Sequence, residues 1–221
     1  QRGDTYVDYN RGGVPLIEVV TEPDIHSIDE AREYVEKLQL IMKYVGVSDC
    51  KMQEGSLRCD VNISVHPAGS DKLGTRAEIK NMNSFAFMAK AMQYEFDRQV
   101  DLLESGEEVV QETRRYDDAT GITEGMRSKE DAQDYRYFRE PDLVTIVTNP
   151  EQVEELRKKL PELPDEKYSR YVNEYGLPDA DAALLIKYRK VAEFFDAAVQ
   201  GLENAKTVAN LILGQVFRRL P

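Results

Sequence analysis

The alternation of apolar and polar residues in segment 57–65 constrains the fold more than any other part of the sequence. Every second residue is apolar: Leu57, Cys59, Val61, Ile63 and Val65. Successive side chains of a β-strand point to opposite faces of the sheet, so the segment predicts a strand with one face in the core. The other face carries Arg58, Asp60 and Asn62, which suit ligand or metal binding. A plain solvated face is the more frequent outcome of such a pattern alone.

A second alternating segment, 75–80, follows closely. The link 66–74 contains one proline and two glycines, which predicts an antiparallel hairpin. If both apolar faces share one core, the polar side chains share one surface. These side chains are Arg58, Asp60, Asn62, Glu78 and Lys80. Two carboxylates flanked by two cations and an amide predict a Mg²⁺ and phosphate site, because Mg²⁺ takes few protein oxygens and leaves the others to water and phosphate.

The composition narrows the class of protein. The 221 residues are 41% hydrophobic, which is enough for one large domain or two smaller ones with a sizeable core. The net charge of −12 argues against binding nucleic acid through bulk electrostatics, although a local basic patch stays possible. The two cysteines, Cys50 and Cys59, form no CxxC pair, which fits a reducing cytosol. The sequence shows neither a signal peptide nor an apolar run of membrane-spanning length.

Two strands and a capped helix are predicted before the hairpin. The segments 6–15 and 16–20 are the strands, and the second, being more continuously apolar, is expected to be central. Ser27 and Glu30 form a capping-box pattern at the start of a helix. Apolar residues at helical spacing extend that helix to Val45, where a glycine follows.

Another helix is predicted from Phe85 to about Leu103. Its expected buried stripe has helical spacing: Phe85, Met88, Met92, Phe96, Val100 and Leu103. Asn83 or Ser84 is the natural N-cap. A helix that begins directly after the polar strand would also offer free backbone N–H groups to an anion.

The next part of the chain predicts three more strands. They cover 109–116, a returning segment to about Arg127, and 143–147. Arg114 and Arg115 lie in the first of them and could pair with phosphate or with nearby acids. For an isolated arginine pair the surface salt bridge is the favoured interpretation.

Helices dominate from residue 149 onward. The predicted helices cover 151–160, the segment after Asp165 to Tyr175, 179–188, 191–201 and 205–219. The expected fold class is α+β, with an antiparallel sheet and flanking helices in a domain 1–148 and a helical lobe 149–221.

Several ordered motifs resemble those of one family. They are DYNRGGVPLIE at 8–18, EGSLRCDVN at 54–62, KNMNSF at 80–85, QETRR at 111–115 and DYRYF at 134–138. In order and spacing they resemble the B subunits of tRNA-dependent amidotransferases over essentially the whole chain. The resemblance implies a cradle-type sheet followed by a helical domain. It also implies a central portion of the subunit, without an amino-terminal part of the cradle or a carboxy-terminal tail domain, so we expect the isolated chain to be inactive.

The resemblance implies a carbon–nitrogen ligase with glutamine as amido donor (EC 6.3.5.-). Such a subunit uses ATP and Mg²⁺ to phosphorylate the side-chain carboxylate of Glu-tRNA(Gln), Asp-tRNA(Asn) or both. Ammonia released by the amidase A subunit then displaces the phosphate. The implied setting is a cytoplasmic heterotrimer that also contains a small C subunit, with no membrane partner.

Site residues are carried over only where this sequence matches the motifs. The implied metal ligands are Asp60 and Glu78. The implied catalytic residues are Glu54, Arg58 and Lys80. The residues expected to bind substrate or nucleotide are Asn62, Asn81, Asn83, Ser84, Arg114 and Arg115. For Asn83 and Ser84, a plain helix cap is an equally good interpretation.

Two other classes of function compete with this one. The polar sheet face could serve only as a scaffold that docks the amidase subunit and tRNA. A generic Mg²⁺-nucleotide enzyme is a second alternative, but the sequence contains neither a P-loop nor a kinase glycine-rich loop.

Overall fold

The computed structural model describes residues 5–10, 12–126 and 141–219. The strands in these ranges are β1 (Val61–Ile63), β2 (Ala77–Lys80), β3 (Glu112–Asp117) and β4 (Ile122–Gly125). The helices are α1 (Ile28–Val45), α2 (Phe85–Glu104), α3 (Pro150–Lys158), α4 (Pro164–Asn173), α5 (Asp179–Ile186), α6 (Arg189–Val199) and α7 (Ala205–Leu211). A π-helical turn, Ile212–Val216, and a 3₁₀ turn, Phe217–Arg219, continue α7. The predicted α+β class is confirmed.

The four strands form one mixed sheet in the order β1-β2-β3-β4. The pairs β1–β2 and β3–β4 are antiparallel, as predicted, whereas β2 and β3 are parallel. The parallel pairing arises because α2 connects β2 to β3 and returns the chain to the same end of the sheet. The register places Glu78 between Asn62 of β1 and Thr113 of β3, and it places Arg115 opposite Glu124 of β4.

The predicted strand 57–65 is shorter than expected. Only Val61–Ile63 pairs with β2, while the alternation of burial continues back to Leu57, which is half-buried beside an exposed Arg58. At the far end of the link 66–74, a side chain on Gly74 would collide with the backbone carbonyl oxygen of Val65. The backbone at Gly74 therefore lies in close contact with the backbone at Val65, at the two ends of the hairpin connection.

Helix α1 begins and ends at the predicted residues. The Ser27 hydroxyl accepts a hydrogen bond from the backbone N–H of Glu30 at 3.1 Å. The Glu30 carboxylate reaches back to the N–H of His26 at 2.7 Å, one residue before the cap. Gly46 ends the helix in the left-handed conformation, with φ of 80°.

Helix α2 has a different buried stripe from the predicted one. Phe96 and Leu103 are 44% and 43% exposed, so the expectation that they are buried is wrong. The polar residues Glu95 and Gln99 are buried instead. The Gln99 side chain accepts a hydrogen bond from the N–H of Val65 and donates one to the carbonyl of Ile63, which satisfies backbone groups of the hairpin. Hydrogen bonding has therefore overridden the apolar pattern in the second half of the helix.

Three predicted strands are absent from the described residues. The segments 6–15 and 16–20, as far as they are described, and the segment 143–147 have no strand pairing, and the expected central position of 16–20 is wrong. Their apolar side chains are exposed, with Leu16 and Ile146 each at 91%. A strand is stabilised by its partner strand, and none of β1–β4 pairs with these segments. The end of the predicted strand at Arg127 and the motif 134–138 lie outside the described residues.

Two hydrophobic clusters form the core of the described part of the chain. The first joins α1, α2 and the sheet through Ala31, Ile79, Met82, Met88, Ala91, Met92 and Tyr116. The second lies within the helical part and is centred on Tyr171, Leu185, Phe195 and Ala209. Helix α1 connects the two regions, because the Tyr44 hydroxyl donates to the carbonyl of Ile186 at 2.8 Å and Arg189 donates to the carbonyl of Tyr44 at 2.8 Å. None of the described helices is long and apolar enough to cross a membrane.

Candidate functional site

One face of the sheet packs against the core and the other is polar. Ile79 and Tyr116 belong to the cluster that packs against α1 and α2. Because side chains alternate along a strand, the residues next to Ile79 in β2 and next to Tyr116 in β3 project away from that cluster. We call this second surface the polar face, and it comprises Asp60, Asn62, Glu78, Lys80, Thr113, Arg115 and Glu124.

Lys80 lies between two carboxylates at the centre of the polar face. Its Nζ atom is 3.2 Å from Oε1 of Glu78 and 3.7 Å from Oδ2 of Asp60. The hydrogen bond to Glu78 and the charges of both carboxylates raise the pKa of Lys80 above its ordinary value, against the effect of partial burial. The three side chains are 32–49% exposed, so solvent and ligands can reach them. The structure thus brings together both predicted metal ligands and one predicted catalytic residue.

Thr113 holds the other oxygen of Glu78. Its hydroxyl donates a hydrogen bond of 2.8 Å to Oε2, while Oε1 faces Lys80. The pairing follows from the parallel register, in which Glu78 and Thr113 are direct neighbours. Sequence reasoning missed Thr113 as a partner of Glu78. Thr113 precedes Arg114 in a predicted strand, so the two side chains are expected on opposite faces of the sheet.

The adjacent arginines, Arg114 and Arg115, project from opposite faces of β3. Arg115 lies on the polar face, where its guanidinium is 3.8 Å from a carboxylate oxygen of Glu124 and both side chains are more than half exposed. Arg114 lies on the core face. Its Nε atom is 3.2 Å from Oε2 of the buried Glu95 and 2.9 Å from the hydroxyl of Thr123, so its donors are engaged away from the polar face.

Glu95 is the centre of the network behind the sheet. It forms an ion pair with Arg114 and accepts hydrogen bonds from Arg98, Gln99 and Thr123 at 2.6–3.0 Å. Burial works to raise the pKa of Glu95, but the hydrogen bonds and the charge of Arg98 hold it below its ordinary value. In the sequence, only the helical spacing of Glu95 and Gln99 could have indicated this network, and the same spacing occurs on solvated helix faces.

Of the three other site residues predicted before β2, one lies on the polar face and two precede strand β1. Asn62 is exposed and directly opposite Glu78 in the register. Arg58 is exposed two residues before Asp60. Glu54 lies in the preceding turn, where its carboxylate is 2.8 Å from the ammonium of Lys51. Of these three, Asn62 is therefore the one that the strand pairing brings directly beside Glu78.

The predicted residues between β2 and α2 have local structural partners. Asn81 adopts a left-handed conformation, with φ of 70°, and its side-chain amide donates to the carbonyl of Tyr116 at 3.1 Å. Ser84 is the N-cap of α2 and accepts from the N–H of Phe87 at 3.1 Å. Asn83, the alternative cap, is exposed. The capping interpretation is therefore confirmed for Ser84.

The donors on the polar face fit a hard cation only in part. No group of three or more histidine, cysteine, aspartate or glutamate side chains that could hold a metal occurs in the described part of the chain. Asp60 and Glu78 provide two carboxylates beside one ammonium, a set that suits Mg²⁺ when water and phosphate oxygens complete its coordination.

Comparison with known proteins places the chain in a family. Residues 1–154 match the family described as GatB/GatE catalytic domain. A relative from Caldicellulosiruptor saccharolyticus, named as the B subunit of an aspartyl/glutamyl-tRNA(Asn/Gln) amidotransferase, is 55% identical over 97% of this chain and 45% of its own length. A relative of the same name from Ruminiclostridium cellulolyticum is 54% identical over 96% of this chain and 44% of its own length. The chain spans about half the length of the curated relatives it matches. The chain belongs to the GatB/GatE catalytic domain family.

Proposed function

We propose that the chain is the central portion of a tRNA-dependent amidotransferase subunit whose polar face activates a carboxylate with ATP. The substrate would be the side chain of Glu-tRNA(Gln), Asp-tRNA(Asn) or both. The names of the relatives support this assignment, since each is the B subunit of an aspartyl/glutamyl-tRNA(Asn/Gln) amidotransferase. The observation that carries the proposal is the single ammonium of Lys80 beside the carboxylates of Asp60 and Glu78 on an exposed sheet face.

The chemistry requires activation because a carboxylate is a poor acyl donor. An oxygen of the substrate carboxylate attacks the γ-phosphorus of ATP, the bond to the bridging oxygen breaks, and ADP leaves. Ammonia then attacks the acyl carbon, and phosphate leaves with the former carboxylate oxygen, which yields the amide. The protein has to orient the reactants and neutralise the negative charge on the transferred phosphoryl group.

Lys80 and Arg115 are the cations of the polar face that would stabilise that charge. The ammonium acts as a compact point charge, and the guanidinium can bind two phosphate oxygens at once. Both already face carboxylates, at 3.2 Å for Lys80 and Glu78 and at 3.8 Å for Arg115 and Glu124. A phosphate that enters between them would exchange these pairings for its own oxygens.

Asp60 and Glu78 would hold Mg²⁺. When bound, the ion would supply positive charge to phosphate oxygens of ATP. The ammonium of Lys80 faces both of these carboxylates, so it would have to give up this position to a metal ion and would then be available to the phosphoryl group. The lysine would thereby change from a partner of the carboxylates into a partner of the substrate.

The remaining predicted residues keep supporting roles in this proposal. Arg58, which precedes β1, would also stabilise phosphate, Asn62 would contact substrate or nucleotide, and Glu54 would lie at the mouth of the site. Asn81, Asn83 and Ser84 would orient the nucleotide through the turn before α2. Arg114, with its donors engaged by Glu95 and Thr123, would act by fixing β3 rather than by direct contact.

The proposal includes the division of the chain and its partners. Residues 1–148 would form the catalytic cradle and residues 149–221 a helical domain. The partners would be the amidase A subunit, which supplies ammonia from glutamine, the small C subunit and the mischarged tRNA, in a cytoplasmic heterotrimer. The enzyme would thus be a carbon–nitrogen ligase with glutamine as donor.

Substitution of the two carboxylates in the full-length subunit, assembled with its partners, tests the proposal. Asp60→Ala and Glu78→Ala should abolish amide formation on tRNA while glutaminase activity and assembly are retained. Asp71→Ala, in the exposed link 66–74, is the matched control and should retain all three. Loss of assembly in the Asp60 and Glu78 variants would instead favour a scaffold that docks the amidase subunit, and full amidation by both variants would contradict the proposal.

A further inference from the structure

We propose that Thr113 is a positioning residue that fixes the carboxylate of Glu78 for cation binding. This inference rests on the proposed function, because it assigns Glu78 to a divalent cation. Thr113 itself would touch neither the cation nor the substrate. Its effect would pass through the hydrogen bond of 2.8 Å between its hydroxyl and Oε2 of Glu78.

The two oxygens of the Glu78 carboxylate have different partners. Oε2 accepts from Thr113, while Oε1 lies 3.2 Å from the ammonium of Lys80. An ionised carboxylate only accepts hydrogen bonds, so the threonine hydroxyl must be the donor. The partner of Oε2 is a neutral group on a neighbouring strand, and the partner of Oε1 is a charged group on a flexible stem. Oε1 is therefore the oxygen that is free to exchange its partner for a metal ion.

The threonine side chain is stiffer than the glutamate side chain, so Thr113 restrains Glu78 and not the reverse. Threonine is branched at Cβ and has few χ1 conformations in a strand, whereas glutamate has three side-chain torsions. The register places Thr113 directly beside Glu78, so the hydroxyl selects one conformation of the longer side chain. Without that hydrogen bond, Glu78 could turn toward Lys80 with either oxygen.

The contribution of the hydroxyl can be separated from that of the fold. The backbone carbonyl of Thr113 accepts from the N–H of Met126 at 2.9 Å, and this bond does not involve the side chain. Valine has nearly the same shape as threonine and is at least as favourable in strands. Thr113→Val therefore removes the hydrogen bond to Glu78 and leaves the strand pairing in place.

Binding of Mn²⁺, in place of Mg²⁺, to the full-length subunit assembled with its partners provides the test. Free Mn²⁺ is measured by its electron paramagnetic resonance signal, with the metal alone. Loss of a hydrogen bond that orients a ligand typically weakens metal binding about 10–100-fold, so Thr113→Val should raise the Kd for Mn²⁺ by about 10-fold or more. Thr113→Ser, which keeps a hydroxyl, should bind within about 2-fold of wild type, a difference far smaller than that loss. Thr120→Val, in the exposed turn between β3 and β4, is the matched control and should bind as wild type does.

Three comparisons separate this inference from the proposed function. If Glu78→Gln abolishes Mn²⁺ binding while Thr113→Val binds Mn²⁺ as wild type does, the role of Thr113 is overturned and the proposed function stands. If Glu78→Gln binds Mn²⁺ as wild type does, the assignment of Glu78 to the metal is overturned, and the inference about Thr113 with it. If valine disturbs the strand, Thr113→Ala removes the same hydroxyl without the second branch, and unchanged Mn²⁺ affinity in that variant likewise overturns the inference.

Discussion

The Nε atom of Arg114 lies 3.2 Å from Oε2 of Glu95, so a buried ion pair joins β3 to α2 directly behind the polar face. The Glu95 side chain is fully buried and that of Arg114 is 11% exposed. Arg98 and Glu112 extend the pair into a network of two carboxylates and two guanidinium groups. This network fixes the strand that carries Thr113 and Arg115.

Removal of Glu95 should strongly destabilise the fold. Glu95→Ala removes a fully buried carboxylate that both Arg98 and Arg114 face, and breaking a buried pair in this way typically costs about 3–5 kcal/mol. Urea unfolding of the chain measures the free energy of unfolding. Glu104→Ala, at the exposed end of α2, should change it by less than about 0.5 kcal/mol. Equal effects of the two substitutions would contradict the structural role of the network.

The low pKa of Glu95 predicts a loss of stability in acid. Because the folded pKa lies below the ordinary value of 4.5, the unfolded chain binds more protons in the interval between the two. The contribution of Glu95 is therefore complete above pH 4.5 and is lost as the pH falls through the folded pKa. Unfolding free energies measured at descending pH should fall less steeply for Glu95→Gln than for wild type. Parallel curves for the two proteins would refute this.

The sequence predicted the polar face through periodicity but not the network behind it. Alternation placed Asp60, Asn62, Glu78 and Lys80 on one surface, and the strand pairing confirms that juxtaposition. The partner of Glu78 on β3 depends on a parallel register that the α2 crossover creates. Local patterns do not specify such a register, because it is set by packing between segments far apart in the chain.

Lys80 should have opposite effects on metal binding and on catalysis. Lys80→Met removes a cation that competes for both carboxylates, so Mn²⁺ should bind more tightly to the full-length subunit. In the proposed mechanism the same change also removes a group that would stabilise the transferring phosphoryl charge, so kcat for amidation should fall about 10²–10³-fold. Lys72→Met, in the exposed link 66–74, should change neither quantity. Weaker Mn²⁺ binding in Lys80→Met would show that the ammonium does not compete with the metal.

Tyr44 should contribute to the connection between the sheet region and the helical region. Its side chain is buried, and its hydroxyl donates to the carbonyl of Ile186 at 2.8 Å. Tyr44→Phe removes that bond and leaves the carbonyl without it, at an expected cost of about 1 kcal/mol in unfolding free energy. Tyr188→Phe, at an exposed tyrosine, is the control and should leave stability unchanged. A wild-type unfolding midpoint for Tyr44→Phe would contradict this role.

The helices could be predicted more accurately than the strands, for a physical reason. Ser27 and Gly46 define the ends of α1 through bonds within a few residues, so the sequence alone contains the information. The segments 16–20 and 143–147 are as apolar as buried strands, yet a strand also needs a partner, which an apolar run does not supply. In α2, Glu95 and Gln99 are buried because the hairpin and β4 offer them hydrogen-bond partners and Arg114 of β3 forms an ion pair with Glu95, which periodicity does not reveal.

Transfer of ¹⁸O from the substrate to phosphate tests the central claim most directly. Glu-tRNA(Gln) labelled with ¹⁸O in its side-chain carboxylate is reacted in a single turnover with ATP, Mg²⁺ and ammonia on the full-length subunit in its complex. Activation on the polar face predicts that one ¹⁸O appears in the released phosphate. It also predicts that Glu78→Gln lowers this rate at least about 100-fold, while the exposed control Glu107→Gln retains it. Labelled phosphate released by Glu78→Gln at the wild-type rate would contradict the account.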